Sequence, residues 1–125
     1  MAVEGFSVEV DGDPDRVGAG PGTGSAGPAT TVVAVAGDVD LAAADTLWSV
    51  LDEYVRPGAS VVVDCSKVAF LDSMGLRTLI RAQHKADAAG ARLTLAAPSE
   101  AVLRVLTLAG VTELFVLDLS GSGGS

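Results

Sequence analysis

The segment Asp64-Cys65-Ser66-Lys67-Val68-Ala69-Phe70-Leu71-Asp72-Ser73-Met74-Gly75-Leu76 concentrates the residues of this chain best placed to do chemistry. It follows the apolar run Val61-Val62-Val63 and precedes a helical pattern, so Ser73 is expected where a strand's loop turns into a helix. A serine there is either a plain helix cap or a switch, because the backbone N–H groups it would cap can also hold a phosphate. Three acids, Asp38, Asp40 and Asp72, belong to the same set of strand-to-helix junctions. Asp40 reads first as the cap of the helix that follows it, whereas Asp38 and Asp72 show no capping duty. Carboxylates such as these hold Mg²⁺ mainly beside a phosphate substrate, and the chain has no phosphate-cradling glycine motif. Neither a metal nor a cofactor of its own is expected.

A nucleophilic Ser73 would need a base within hydrogen-bond reach. The one histidine, His84, lies on the same predicted helix eleven residues later, roughly 16 Å along its axis at about 1.5 Å per residue. Ser66 and Lys67 supply no alternative, since nothing marks an oxyanion hole. No catalytic residue is expected, and the chain does not read as an enzyme. A phosphoacceptor Ser73 makes better sense. A phosphoryl group adds about 1.5 to 2 negative charges beside Asp72 and near Asp38 and Asp40, and the helix N-terminus offsets only about 0.3–1 kcal/mol of this. A partner docked on that surface would meet repulsion and leave.

The elements that must position these groups follow from pattern. Phe6–Val10 alternates as a strand, and Thr31–Ala36 is a second strand rich in β-branched and small residues. Between them, residues 11–29 form a long Gly/Pro-rich loop, so the pair reads as a hairpin with a long connection. Gly37-Asp38-Val39-Asp40 ends the second strand. Leu41, Ala44, Leu47, Trp48, Leu51 and Val55 then recur at helical spacing as one inward stripe, stopped by Arg56-Pro57-Gly58. Ser60–Asp64 is apolar on both faces, the pattern of a central buried strand. A helix over 74–89 ends at Gly90, a strand spans Arg92–Ala96, a helix opened by Pro98-Ser99-Glu100 closes at Gly110, and Phe115–Leu117 is a last strand or extended segment.

The order ββαβαβα predicts an α/β fold, a mixed sheet of 4–5 strands with helices packed on it. Residues 1–118 are expected as one domain and 119–125 as a flexible tail. The strand–helix junctions gather at the carboxyl ends of the parallel strands, where α/β folds place their sites.

A net charge of −8 repels phosphate backbones, so no nucleic-acid role is expected. Arg77, Arg81 and Lys85 recur every fourth residue as a basic stripe, read first as a solvated helix face. The single cysteine, Cys65, cannot form an internal disulfide and reads as a small buried hydrophobe. No signal peptide is legible, and no apolar run approaches the roughly 20 residues of a membrane helix, so the chain reads as cytoplasmic with no membrane partner.

Taken together, Gly37-Asp38-Val39-Asp40, Asp64 with Asp72-Ser73-Met74-Gly75-Leu76, and Gly90-Ala91-Arg92-Leu93 resemble the STAS domain family, specifically the bacterial anti-sigma factor antagonists, over about residues 5–118. The resemblance implies that Ser73 is phosphorylated by a partner anti-sigma factor, a GHKL-type serine kinase that supplies the ATP. It implies that Asp38, Asp40, Asp72, Ser73, Met74, Gly75 and Leu76 form the partner-binding surface. It further implies that the unphosphorylated protein binds the anti-sigma factor and frees a sigma factor for transcription, and that a phosphatase reverses the mark. Met74 departs from the Ser or Thr many relatives carry after the phosphoserine, and the 11–29 loop is longer than the family's usual hairpin. An exposed Met74–Leu76 edge or Phe70 would serve a weak homodimer as readily as a partner. The alternatives are a STAS module of a non-sigma system, such as a signalling scaffold or a lipid-transport accessory subunit, and an α/β interaction domain whose Ser73 is only a helix cap. A phospho-aspartate receiver fails, because no lysine follows residue 85.

Overall fold

The computed structural model describes the backbone of residues 2–3 and all of residues 5–11 and 30–119. Six strands form one sheet in sequence order: β1 (Ala2–Val3), β2 (Phe6–Asp11), β3 (Thr30–Val39), β4 (Ser60–Leu71), β5 (Arg92–Ala96) and β6 (Val116–Asp118). The expected hairpin is present, since β2 pairs antiparallel with β3, while β3–β4, β4–β5 and β5–β6 are parallel. Three helices connect the parallel strands: α1 (Leu41–Tyr54), α2 (Ser73–Ala89) and α3 (Glu100–Ala109). The fold is the mixed α/β sheet expected. The count exceeds 4–5 because β1, of two residues, extends the edge. Most of the 11–29 loop and of the 119–125 tail lies outside the described residues.

Register explains which side chains are buried. Val33, Val63, Leu95 and Leu117 stand in one row across the sheet, and the first three are buried with Leu47 and Leu51 of α1, Leu79 and Ala86 of α2, and Leu106 of α3. The neighbouring row, Val32, Val62, Thr94 and Val116, is half-buried or exposed. The central strand is therefore not buried on both faces as its apolar run suggested. The helices cover one face, and Val61, Val63 and Cys65 point to it.

The largest departure from expectation lies in the two strands that carry the motifs. β3 runs to Val39 rather than Ala36, and β4 runs to Leu71, through what read as a loop after Asp64. The burial spacing along β4 is two residues from Val61 to Cys65, then three to Val68 and three to Leu71. Each step of three coincides with a register shift against β3, one between Ala34 and Ala36 and one between Gly37 and Asp38. An extra residue per bulge restores the inward side chain to the core while bending the strand. The first bulge is anchored from outside the ladder. Asp64 Oδ1 accepts from Ser66 N at 2.9 Å, Ser99 N donates to Cys65 O at 3.2 Å, and Ser99 Oγ donates to Val68 O at 2.7 Å. Ser99 also caps α3, accepting from Val102 N. One serine thus starts a helix and satisfies a carbonyl at the irregular stretch of β4.

Cys65 sits in this core beside Val63, its Sγ–H donating to Val63 O at 3.6 Å. Burial first, and the Asp64 carboxylate second, push its thiol up from 9.0 to about 12. Between those values the unfolded chain loses the proton that the native protein keeps, so stability falls as pH rises from about 9 toward 12, by up to about 1.4 kcal/mol per pH unit. Denaturant titrations at pH 8 and pH 10.5 are expected to show a smaller loss for Cys65→Ala than for the wild type, and the native thiol is expected to resist a thiol reagent at pH 8 until the chain unfolds.

Candidate functional site

The carboxyl ends of β3 and β4 lie side by side, with Asp38 paired to Phe70 and Val39 to Leu71, and Asp72 N donating to Val39 O at 3.2 Å. Helices α1 and α2 both begin at this edge. Asp40 is the N-cap of α1, its Oδ1 accepting from Ala43 N at 3.2 Å. Asp72 is the N-cap of α2, and its Oδ1 accepts from both Met74 N and Gly75 N at 2.9 Å. Two helix N-termini and three carboxylates therefore share one rim. Asp38 is exposed there, and its N–H donates to Gly5 O at 2.7 Å.

The capping of α2 corrects the sequence-based reading at two residues. Asp72, which showed no capping duty, holds the cap, and Ser73, which was the candidate cap, is the first residue of the helix. Asp and Ser are near-equal as caps, so composition alone could not choose between them. The backbone does, because Asp72 has extended φ and ψ while Ser73 is already helical. Ser73 is exposed, and its hydroxyl makes no hydrogen bond among the described residues. Ser73 therefore does not cap α2; Asp72 does.

Gly75 acts by packing. A Cβ at that position would overlap the Val39 carbonyl oxygen and lie 2.7 Å from Leu71 Cδ1 and 2.8 Å from Val39 Cγ1. The first turn of α2 can press on the ends of β3 and β4 only where no side chain intervenes. Leu76 packs against the core. Gly75 and Leu76 thus support the rim, while Met74, half-buried, faces a groove between α1 and α2.

That groove has a volume of about 420 Å³ and is lined among others by Trp48, Met74, Arg77, Arg81 and His84. The basic stripe of α2 is not a uniform solvated face. The Arg81 guanidinium lies 3.9 Å from the centre of the Trp48 ring, and Lys85 pairs with the Asp52 carboxylate and donates to Asp52 O at 2.9 Å. Both contacts tie α2 to α1. An exposed cation–π contact contributes about 0.5–1 kcal/mol, and an ion pair this open about 0–1 kcal/mol. Ser73 and His84 are on one helix, eleven residues apart, so the distance argument against a serine–histidine pair stands. Among the described residues no group of three or more His, Cys, Asp or Glu is placed to hold a metal ion, and no helix is long and apolar enough to cross a membrane.

Two large apolar side chains near the ends of β3 and β4 are exposed. Leu41, which fits the inward stripe of α1 by spacing, is 66% exposed, while Ala43 and Ala44 of the same turn are buried. Phe70, opposite Asp38, is 49% exposed. Its exposure follows from the step of three in β4, since Val68 and Leu71 take the inward positions around it.

Comparison with known proteins decides the family. A family model described as "Mlab, STAS domain" matches residues 24–120. The chain belongs to the STAS domain family. A sequence search of curated proteins finds no match. Among solved structures, this STAS domain resembles an anti-sigma factor antagonist from Mycobacterium paratuberculosis at a TM-score of 0.67 and 23% identity, covering 94% of this chain and 88% of that one. It resembles a putative anti-sigma factor antagonist of Thermotoga maritima at 0.60 and 23% identity, over 70% of this chain and 78% of that one. It also resembles the phosphorylated form of the Bacillus cell fate determinant SpoIIAA at 0.56 and 20% identity, over 70% of this chain and 81% of that one. These likenesses establish a common fold.

The division of labour within the Asp72-Ser73-Met74-Gly75 turn of this STAS domain is open to test by thermal and urea unfolding. Asp72→Ala is expected to cost about 1 kcal/mol by removing the cap, and Gly75→Ala about 1–3 kcal/mol or more by forcing α2 off Val39. Ser73→Ala is expected to change stability by less than about 0.5 kcal/mol, as an exposed site does.

Proposed function

We propose that this STAS domain is an anti-sigma factor antagonist whose binding is switched off by phosphorylation of Ser73. The observation that carries the reading is the unengaged Ser73 hydroxyl: it is exposed at the first turn of α2, while Asp72 performs the capping. In the unphosphorylated form the rim of Asp38, Asp40, Asp72, Ser73 and Met74, with the exposed Leu41 and Phe70 beside it, engages an anti-sigma factor, which then releases its sigma factor in the bacterial cytoplasm. Exposed apolar residues set among carboxylates suit a protein partner with an apolar centre and basic rim.

The anti-sigma factor in this reading is a GHKL-type serine kinase that brings its own ATP. Ser73 Oγ attacks the γ-phosphorus, an O–P bond forms, the bond to the β-phosphate bridging oxygen breaks, ADP departs, and the hydroxyl proton passes to a base on the kinase. A phosphatase later returns inorganic phosphate and the free serine by hydrolysis. This chain supplies no catalytic group and no cofactor. It is the substrate and the ligand. The transferred group places about −1.5 to −2 charges beside Asp72, and the repulsion plus the desolvation of a doubly charged group ends the complex.

A second reading has one observation in its favour: the matching family model is named for Mlab and not for a sigma-factor system. The domain would then be a STAS module of a signalling scaffold or of a lipid-transport accessory subunit.

Calorimetric binding to the kinase-type anti-sigma proteins of the source organism tests the proposal. Ser73→Ala is expected to bind as tightly as the wild type and to stay bound when ATP is added. Ser73→Asp is expected to bind at least about tenfold more weakly, a loss of about 1.4 kcal/mol. Equal affinity of Ser73→Asp and wild type would contradict the electrostatic switch, and absence of any complex would favour the second reading.

A further inference from the structure

Arg77 stands four residues after Ser73 on α2, is exposed, and makes no hydrogen bond or ion pair among the described residues. The other cations of that helix are occupied or remote. Arg81 is stacked on Trp48 and Lys85 is paired with Asp52. His84 lies eleven residues from Ser73, roughly 16 Å along the axis. Residues four apart on a helix are neighbours, with Cβ atoms about 5–6 Å from each other. The Arg77 fork is long enough to reach a group on Ser73 and planar enough to bind two of its oxygens at once.

The amides at the start of the helix would ordinarily compete for such a group. Here the N–H groups of Met74 and Gly75 already donate to Asp72 Oδ1 at 2.9 Å. A phosphoryl group on Ser73 therefore meets a carboxylate at the mouth of the helix and one unpaired guanidinium on its own face. The other charges near this end of the helix are acidic: Asp38 at the end of β3, Asp40 at the cap of α1, and Asp45, which lines the groove with Arg77.

We propose that Arg77 is the residue that holds the phosphoryl group of phosphorylated Ser73, as a positioning residue for the modification; the inference rests on Ser73 as the phosphoacceptor. In the unphosphorylated protein Arg77 lines the groove between α1 and α2 and is available to an acidic side chain of a partner. Phosphorylation draws it into an internal ion pair and removes that contact. The modification then acts twice, by adding negative charge to the rim and by withdrawing a cation from the groove beside it.

Phosphoserine placed at position 73 during translation tests this without any kinase, so the outcome is separable from the identity of the partner. The probe is the ³¹P resonance of the protein's own phosphate, followed through its second ionisation in the wild type, Arg77→Gln and Arg77→Lys. The expected result is a second pKa lower in the wild type than in Arg77→Gln by about 0.5. Arg77→Lys should fall between them, and unphosphorylated thermal midpoints should be alike because Arg77 is exposed. Equal values in the wild type and Arg77→Gln would overturn the proposal. So would a titration-linked shift of the Met74 and Gly75 amide protons of equal size in both proteins, which would show the phosphate displacing Asp72 from the cap.

Discussion

The carbonyl oxygen of Val39 lies where a side chain on Gly75 would have to be, and the rim of this STAS domain depends on that close approach. It brings the first turn of α2 down onto the joined ends of β3 and β4. Asp72 N then reaches Val39 O, and Asp72 is turned so that its carboxylate faces two amides of its own helix. With the cap fixed in this way, Ser73 is left exposed, its hydroxyl without a hydrogen bond among the described residues. A bulkier residue at 75 would lift the helix and loosen the cap together. The exposed serine is thus the product of a packing constraint two residues away, in the same turn.

The two bulges of β4 serve the same end from the other side. They lengthen β4 relative to β3, so that Phe70, paired with Asp38, is exposed while Leu71 returns to the core. The irregular backbone they leave is stabilised by Ser99, which links the start of α3 to Cys65 and Val68. Two strand ends, three helix starts and their capping residues are in this manner coupled through a small number of hydrogen bonds. The resulting surface is divided in charge. The rim carries Asp38, Asp40 and Asp72, while the flank of α2 carries Arg77, Arg81 and Lys85, in a chain with sixteen acidic and eight basic residues. A partner reading both regions would need opposite charges on the two parts of its own surface, which favours one orientation of docking.

Much of this was legible in the sequence. Gly90 and Gly110, both left-handed, end α2 and α3 where expected, and Asp40 and Ser99 start their helices as caps. Alternation placed β2, β5 was expected over Arg92–Ala96 as found, and the ββαβαβα order implied the parallel pairing. What escaped has specific causes. The bulges break the two-residue period on which strand recognition rests, so the end of β4 read as a loop. Asp72 and Ser73 are adjacent residues of equal capping aptitude, and only backbone geometry separates them. Leu41 fits the helical stripe by spacing, yet in the first turn of α1 it is Ala43 and Ala44 that are buried and Leu41 that is exposed. Arg81 and Lys85 found Trp48 and Asp52 on another helix, a tertiary pairing that a one-dimensional stripe does not contain.

The proposed switch requires the exposed hydroxyl of Ser73 to accept a phosphoryl group from an anti-sigma factor. Intact mass with site mapping, before and after incubation with ATP and the kinase-type anti-sigma proteins of the source organism, measures this directly. The expected result is the mass of one added phosphate, located on Ser73 and lost in Ser73→Ala. An unchanged mass with every such kinase, or a phosphate mapped to another residue, would contradict it.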